Sequence, residues 1–180
     1  MNQPFDDGLR RCTNCLLPET HETIEFDSNG VCNICRGIRY KQEKIDWEAR
    51  RKDLFDLVNE YKDKHDYDCI VPFSGGKDST FALYYMVRAL RLKPLVVRYD
   101  HGFLRPGVLE NTERVIKELG VDFLHFRPNW KVVQKVMLES LRRKGDFCWH
   151  CHTGIFAYPM HIALKYRIPL IFWGEPSAEY

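Results

Sequence analysis

Beyond residue 66, short apolar runs alternate with segments whose apolar residues recur every three or four positions. The runs at 69–73, 95–99, 123–126 and 170–173 are continuous and rich in Val, Ile, Leu and Phe, as expected of strands covered on both faces. Between them, 79–92, 108–119, 132–143 and 153–166 carry helical spacing, with Pro159 expected to kink or divide the last. This alternation predicts an α/β fold with a mostly parallel, twisted sheet. Ligands of such sheets gather at the carboxyl ends of the strands. Upstream, Trp47, Leu54, Leu57, Val58 and Tyr61 fall on one helical face. The first 37 residues or so have turn residues, four cysteines and little periodicity, and a core that small needs a staple. The pattern therefore divides the chain into a module at 1–40, a connecting helix at 41–66 and an α/β domain at 67–180. No repeat or low-complexity tract interrupts it.

The first strand run exits into Ser74-Gly75-Gly76-Lys77-Asp78-Ser79, and a helix follows. Adjacent glycines let the backbone approach a ligand closely, and the helix turns unpaired N–H groups and its positive dipole end toward the turn. Lys77 adds a charge; Ser74 and Ser79 add hydroxyls. The combination suits a polyphosphate. A Walker A loop is excluded, because Val71 stands where its first glycine belongs and Asp78 where its hydroxyl belongs. The dinucleotide fingerprint fails as well, since its third glycine is missing. What remains resembles the Ser-Gly-Gly-x-Asp-Ser PP-loop of the ATP pyrophosphatase superfamily, whose members cleave ATP between the α and β phosphates. That resemblance implies a Rossmann-like sheet of the PP-loop (adenine nucleotide alpha hydrolase-like) type.

Composition narrows the setting. The 180 residues carry a net charge of +2, too little to argue for a large nucleic-acid footprint. No apolar run reaches membrane-spanning length, and residues 1–7 lack signal-peptide character, so the cytoplasm is the expected location. Seven cysteines in such a chain point to metal or redox chemistry rather than disulfides. Cys12-x-x-Cys15 and Cys32-x-x-Cys35 have zinc-ribbon spacing, and Gly30 suits the second turn. An iron site of rubredoxin type or two independent thiol pairs are the rival readings. A third pair, Cys148 and Cys151, is interleaved with His150 and His152. It reads as a substrate pocket, a second metal site or part of an iron–sulfur cluster, or as a packed turn, and a helix starting there would lower the Cys151 pKa. Cys69 reads as core, and His161 as a structural helix residue. His101 follows a strand at the ligand edge. Lys131, Lys135, Arg142, Arg143 and Lys144 read as a solvated face.

Taken together, the paired knuckles, Pro72–Ser79, Cys148-Trp149-His150-Cys151-His152-Thr153-Gly154 and Trp173-Gly174-Glu175-Pro176-Ser177-Ala178-Glu179-Tyr180 resemble the N-acetyl sugar amidotransferase family of the WbpG/PseA type, found in bacterial O-antigen and nonulosonic-acid pathways. The resemblance implies ATP-dependent conversion of a sugar acetamido group to an acetamidino group, with Mg²⁺ accompanying ATP and structural Zn²⁺ in the N-terminal module. It implies catalytic roles for Lys77, Asp78 and Glu175, with Glu179 a weaker acidic candidate. Phosphate contacts would come from Ser74, Gly75, Gly76, Lys77, Asp78 and Ser79, and a ribose or substrate contact from Asp100. The chain carries no glutaminase signature, so ammonia is expected from separate glutaminase–synthase subunits acting on an N-acetylated sugar (nucleotide) substrate. Members of that family continue beyond the position of Tyr180, which implies that domain 67–180 is C-terminally incomplete and that the chain is inactive alone. Two other classes compete: a PP-loop tRNA thiolation enzyme with zinc and iron–sulfur chemistry, and a zinc-ribbon interaction module on a degenerate nucleotide fold.

Overall fold

Two apolar runs become the central strands because both of their faces are covered. In the computed structural model, which describes residues 8–174, β1 (Cys69–Pro72) is buried throughout and β2 (Pro94–Tyr99) is buried at five of its six residues. β2 pairs in parallel with β1 on one side, Val71 opposite Val96, and with β3 (Asp122–Phe126) on the other, Val96 opposite Phe123. The fourth apolar run is reduced to one parallel bridge, Ile171 beside Ile70. Ile70 N–H donates to Leu170 O at 2.8 Å, and Phe172 N–H donates to Ile70 O at 2.9 Å. The next donor on that side of β1 would be residue 72, which is proline and has none. The order across the sheet is thus Ile171, β1, β2, β3, all parallel, and successive strands switch from one side of β1 to the other. Such a switch opens a crevice at the strand exits.

Alternation along the strands sorts side chains into two cores. Cys69, Val71, Phe73 and Val96 meet Leu83, Met86, Leu90 and Val115, from α3 (Lys77–Tyr84), the π-helical turn Tyr85–Ala89 that continues it, its cap residue Leu90, and α4 (Pro106–Leu119). Ile70, Leu95 and Val97 meet Ile162 and Ala163 of α6 (Trp149–Tyr166) on the other face. Near its start, Gly154 of α6 lies against the Tyr99 ring at the exit of β2. Ile162 and Ala163 reach the residues near the strand starts, so α6 runs against the strands with its N-terminus at the ligand edge. Pro159 lies fully buried inside α6, which continues through it as one helix. Packing outweighs the one hydrogen bond lost there. α5 (Trp130–Lys144) is capped by Asn129 Oδ1, which accepts from Lys131 N–H at 2.9 Å.

The chain forms two compact units, Met1–Asp53 and Leu54–Tyr180. The first contains α1 (Asn33–Glu43), and the boundary falls within α2 (Trp47–Tyr61), whose Val58 joins the core of the second. No described helix is long and apolar enough to cross a membrane.

At the strand starts Asp68, 1% exposed, accepts from Asp63 N–H at 2.6 Å and from Lys93 N–H at 2.7 Å. Replacing it with alanine leaves two donors without their carboxylate. Asp68→Ala is expected to lower unfolding stability by about 2–3 kcal/mol, read as a reduced urea midpoint with an unchanged slope.

Candidate nucleotide and metal sites

After Phe73, whose N–H still donates to Val97 O at 2.9 Å, the chain leaves the sheet and turns sharply. Gly75 makes the turn with a φ of +83°, and a Cβ there would stand 2.9 Å from Arg98 Nη2, Thr112 Oγ1 and Val108 Cγ1. Both conformation and space require glycine. Its carbonyl accepts from Asn111 Nδ2 at 3.0 Å, and Asn111 Oδ1 in turn accepts from Arg114 Nη2 at 2.7 Å. Ser74 Oγ accepts from Gly76 N–H at 3.3 Å and lies 3.0 Å from Ser79 Oγ, which donates to Gly76 O at 3.2 Å. The hydroxyls therefore hold the loop in shape before any ligand arrives.

α3 opens at Lys77, with Gly76 at its cap position, so the first N–H groups of the helix have no partner within it. The Lys77 and Asp78 side chains are 90% and 63% exposed, 4.0 Å apart. Gly174 abuts this first turn: a Cβ there would stand 2.9 Å from Ser79 Cα. The exit of the fourth run and the start of α3 thus share one edge of the crevice. Glu175 and Glu179 lie outside the described residues. Gly75→Ala is expected to cost at least about 2 kcal/mol through the left-handed backbone and the triple contact. Nucleotide binding should fall with it, and thermal melts with and without ATP would measure both.

Asp100 sits behind this edge, 2% exposed. It accepts from Gly102 N–H at 2.8 Å and Arg127 Nε at 2.6 Å, with His125 Nε2 at 3.2 Å. Burial pushes its pKa up, but the Gly102 N–H and the Arg127 guanidinium outweigh it and hold the carboxyl below its usual range. It fixes the turn after β2, on a cavity of 310 Å³ that Leu104, Leu109 and Trp130 also line. Beside it, half-buried His101 stacks on Phe103, and burial lowers its pKa.

Cys148 caps α6, and its N–H donates to Asp146 Oδ1 at 2.7 Å. The helix start was expected to depress the Cys151 thiol. Burial, reinforced by Cys148 and Asp146, instead pushes it up. His150 is buried, with Nδ1 3.1 Å from Phe147 O and Nε2 without a hydrogen-bond partner, while His152 is exposed. Among the described residues the four cysteines of the first unit form the one group of three or more such side chains able to share an ion. Cys148, His150, Cys151 and His152 do not form another. Cys69 opens β1, fully buried, its thiol pushed up to about 12 by burial. It pairs with Pro94, five residues before Tyr99, which puts it about 16 Å along the sheet from the edge where α6 begins. His161 is exposed on α6. On the solvated face of α5, Arg142 and Arg143 pair with Glu139 at 3.4 and 3.0 Å.

In the first unit, Cys12 and Cys35 Sγ stand 3.9 Å apart and Cys15 and Cys32 Sγ 3.6 Å apart, and all four lie within 4.8 Å of one another. Tetrahedral thiolates at about 2.3 Å from an ion stand about 3.8 Å apart, so the set fits a tetrahedral metal. Four N–H groups already point at sulfur: Asn14 and Cys32 backbone to Cys12, Cys35 backbone to Cys32, and Asn14 Nδ2 to Cys35, at 3.2–3.4 Å. Burial opposes ionisation of Cys12, yet backbone groups at Cys15, Cys32 and Asn14 bring its pKa down to about 6. Against the help of a backbone hydrogen bond at Leu17, burial and the other three sulfurs drive Cys15 up to about 12. Four thiolates cannot share this space without a cation. Ile24, Phe26 and Val31 are the apolar residues packed on them.

Asn111 and Thr112, behind the loop, escaped the sequence reading. Arg98 entered it only through its backbone, near Asp100, where the PP-loop resemblance implies an adenine contact, and the role of its side chain was missed. The one signal was a charged residue inside the apolar run of β2.

No protein-family model matches the chain. It is 28% identical over 167 residues to an uncharacterized protein of Methanocaldococcus jannaschii, covering 92% of this chain and 58% of that one. It is 37% identical over 151 residues to the glutamine-hydrolyzing GMP synthase of Thermotoga maritima, covering 78% of this chain and 26% of the synthase. In fold it resembles the NH3-dependent NAD synthetase of Campylobacter jejuni, with a TM-score of 0.52, 16% identity, and coverage of 75% of this chain and 59% of that one. The chain thus spans a little over half the length of one sequence relative and about a quarter of the other.

Proposed function

Taking the chain as a PP-loop ATP pyrophosphatase in fold and in loop sequence, we propose that it activates the acetamido oxygen of an N-acetylated sugar with ATP for conversion to an acetamidino group. The observation that carries this reading is the loop itself: a glycine turn between a strand exit and a helix N-terminus, held in shape by Ser74, Ser79 and Asn111. The acetamido oxygen attacks the α-phosphorus of ATP, the bond to the β-phosphate breaks, and pyrophosphate leaves. Ammonia then adds to the imidate carbon, the carbon–oxygen bond breaks, AMP departs with that oxygen, and a proton is lost to give the amidine. An amide oxygen leaves poorly until it is a phosphate ester, so the protein's task is positioning and charge stabilisation.

Lys77 and the first N–H groups of α3 take the charge that develops on pyrophosphate. The Asp78 carboxylate, exposed in the first turn of α3, would hold the Mg²⁺ that accompanies ATP, and the ion would supply charge neutralisation. Asp100 sets the turn and cavity beside the nucleotide. Glu175 would act from just beyond Gly174. The four cysteines would hold structural Zn²⁺, which would staple the module without offering a catalytic position. Nitrogen chemistry is supported by the name of the Thermotoga relative, a glutamine-hydrolyzing synthase, and separate glutaminase–synthase subunits are proposed to supply ammonia here. The thiolation alternative needs further thiolates beside Cys148 and Cys151. Cys69, the remaining cysteine outside the four-sulfur group, lies at the opposite end of the strands.

The test supplies the full-length protein with ATP, Mg²⁺, ammonium and a panel of N-acetylated sugar nucleotides, and reads pyrophosphate. Release that depends on the sugar is the expected result. Release no greater than background with every sugar contradicts the proposal.

A further inference from the structure

Arg98 is 3% exposed, one residue from the end of β2, after four apolar residues. Its guanidinium stands 5.5 and 5.3 Å from the ring centres of Phe73 and Phe123. Nε donates to Phe73 O at 3.1 Å, and Nη2 donates to Thr112 Oγ1. Among the described residues, no carboxylate forms an ion pair with it. Burial lowers its pKa, opposed at longer range by Asp100 and Glu113, but a guanidinium stays charged in a protein. A buried cation without a counter-ion is costly to a fold, and two neutral acceptors and two ring faces offset only part of that cost. Aliphatic residues fill the other buried positions of β2, so the strand itself has no need of the charge.

The missing counter-charge has a place. Arg98 Nη2 lies 2.9 Å from the point where a Cβ would stand on Gly75, directly behind the loop. We propose that Arg98 is a positioning residue for the phosphate chain, a fixed cation whose counter-ion is a bound pyrophosphate group on the far side of the Gly75 backbone. This rests on the reading that the loop binds a polyphosphate. Lys77 is exposed and must be ordered by its ligand, and salt screens it. Arg98 is already held by Phe73 and Thr112 in a low-dielectric setting, so its field is present before the ligand arrives. The backbone between them keeps the guanidinium from competing for the phosphate oxygens, leaving those to the N–H groups and Lys77.

The experiment is calorimetric titration of the full chain with magnesium pyrophosphate, for wild type, Arg98→Lys and Arg98→Gln, with thermal melts of each unliganded protein. Glutamine keeps hydrogen-bonding capacity without charge. It should bind about 30-fold more weakly, the effect of one charge about 8 Å away at an effective dielectric constant near 20, while melting no lower than wild type. Lysine keeps the charge without the fork and should bind within about threefold of wild type. Equal losses in both variants, wild-type affinity in the glutamine variant, or failure of that variant to fold would each overturn the proposal, assigning Arg98 to the scaffold instead. Absence of pyrophosphate binding by wild type refutes the underlying reading of the loop, and that outcome is visible before any variant is compared.

Discussion

Lys77→Ala is expected to reduce pyrophosphate release by about a hundred- to a thousandfold without shifting the melting temperature. The Lys77 side chain is 90% exposed, and its nearest ionic neighbour is Asp78 at 4.0 Å, so the fold gains almost nothing from it. The leaving pyrophosphate gains a great deal, because Lys77 stands at the first position of α3, where the helix N–H groups already converge. Steady-state release measured beside a thermal melt separates the two effects. A fall in melting temperature that tracks the lost activity would show Lys77 to be structural. Unchanged release would remove it from the chemistry.

The second large effect concerns the four-sulfur group. Cys12→Ser is expected to abolish metal binding and, with it, the folded state of the unit Met1–Asp53. This unit's buried hydrophobic cluster is Cys12, Cys32 and Cys35, with partly buried Ile24, Phe26 and Val31 packed on it. A core that small does not stand unaided, and in such modules metal binding and folding are one event. Native mass spectrometry should find about one ion per wild-type chain and none in the variant. Hydrogen exchange should show protection lost at 8–53 and kept in the strands of the second unit. Retained protection at 8–53 without metal would show that the module folds on its apolar contacts.

Much of the α/β unit was legible because its two central strands, β1 and β2, are buried on both faces and announce themselves as apolar runs. β3, which was expected to be covered in the same way, is partly or fully exposed at every residue. The cysteine spacing likewise brought four sulfurs within 4.8 Å of one another. What escaped the sequence depends on contacts between distant residues. The fourth strand shrank to Ile171 because Pro72, on its neighbour, lacks a donor. Pro159 failed to break α6 because the helix is held against Ile70, Leu95 and Val97. The rise in the Cys151 pKa came first from burial, which periodicity does not report, and then from Cys148 and Asp146. Support of the loop comes from α4, where Asn111 reaches Gly75 across 36 residues of chain. No local pattern marks such a side chain.

The central claim is that the acetamido oxygen attacks the α-phosphorus of ATP at the Ser74–Ser79 loop. Isotope transfer tests it most directly. An N-acetylated sugar nucleotide carrying ¹⁸O in its acetamido carbonyl is turned over with ATP, Mg²⁺ and ammonium, and the released nucleotide is weighed by mass spectrometry. The account predicts AMP heavier by one ¹⁸O, formed in step with pyrophosphate and amidine. Unlabelled AMP, or ADP and phosphate in its place, would contradict it.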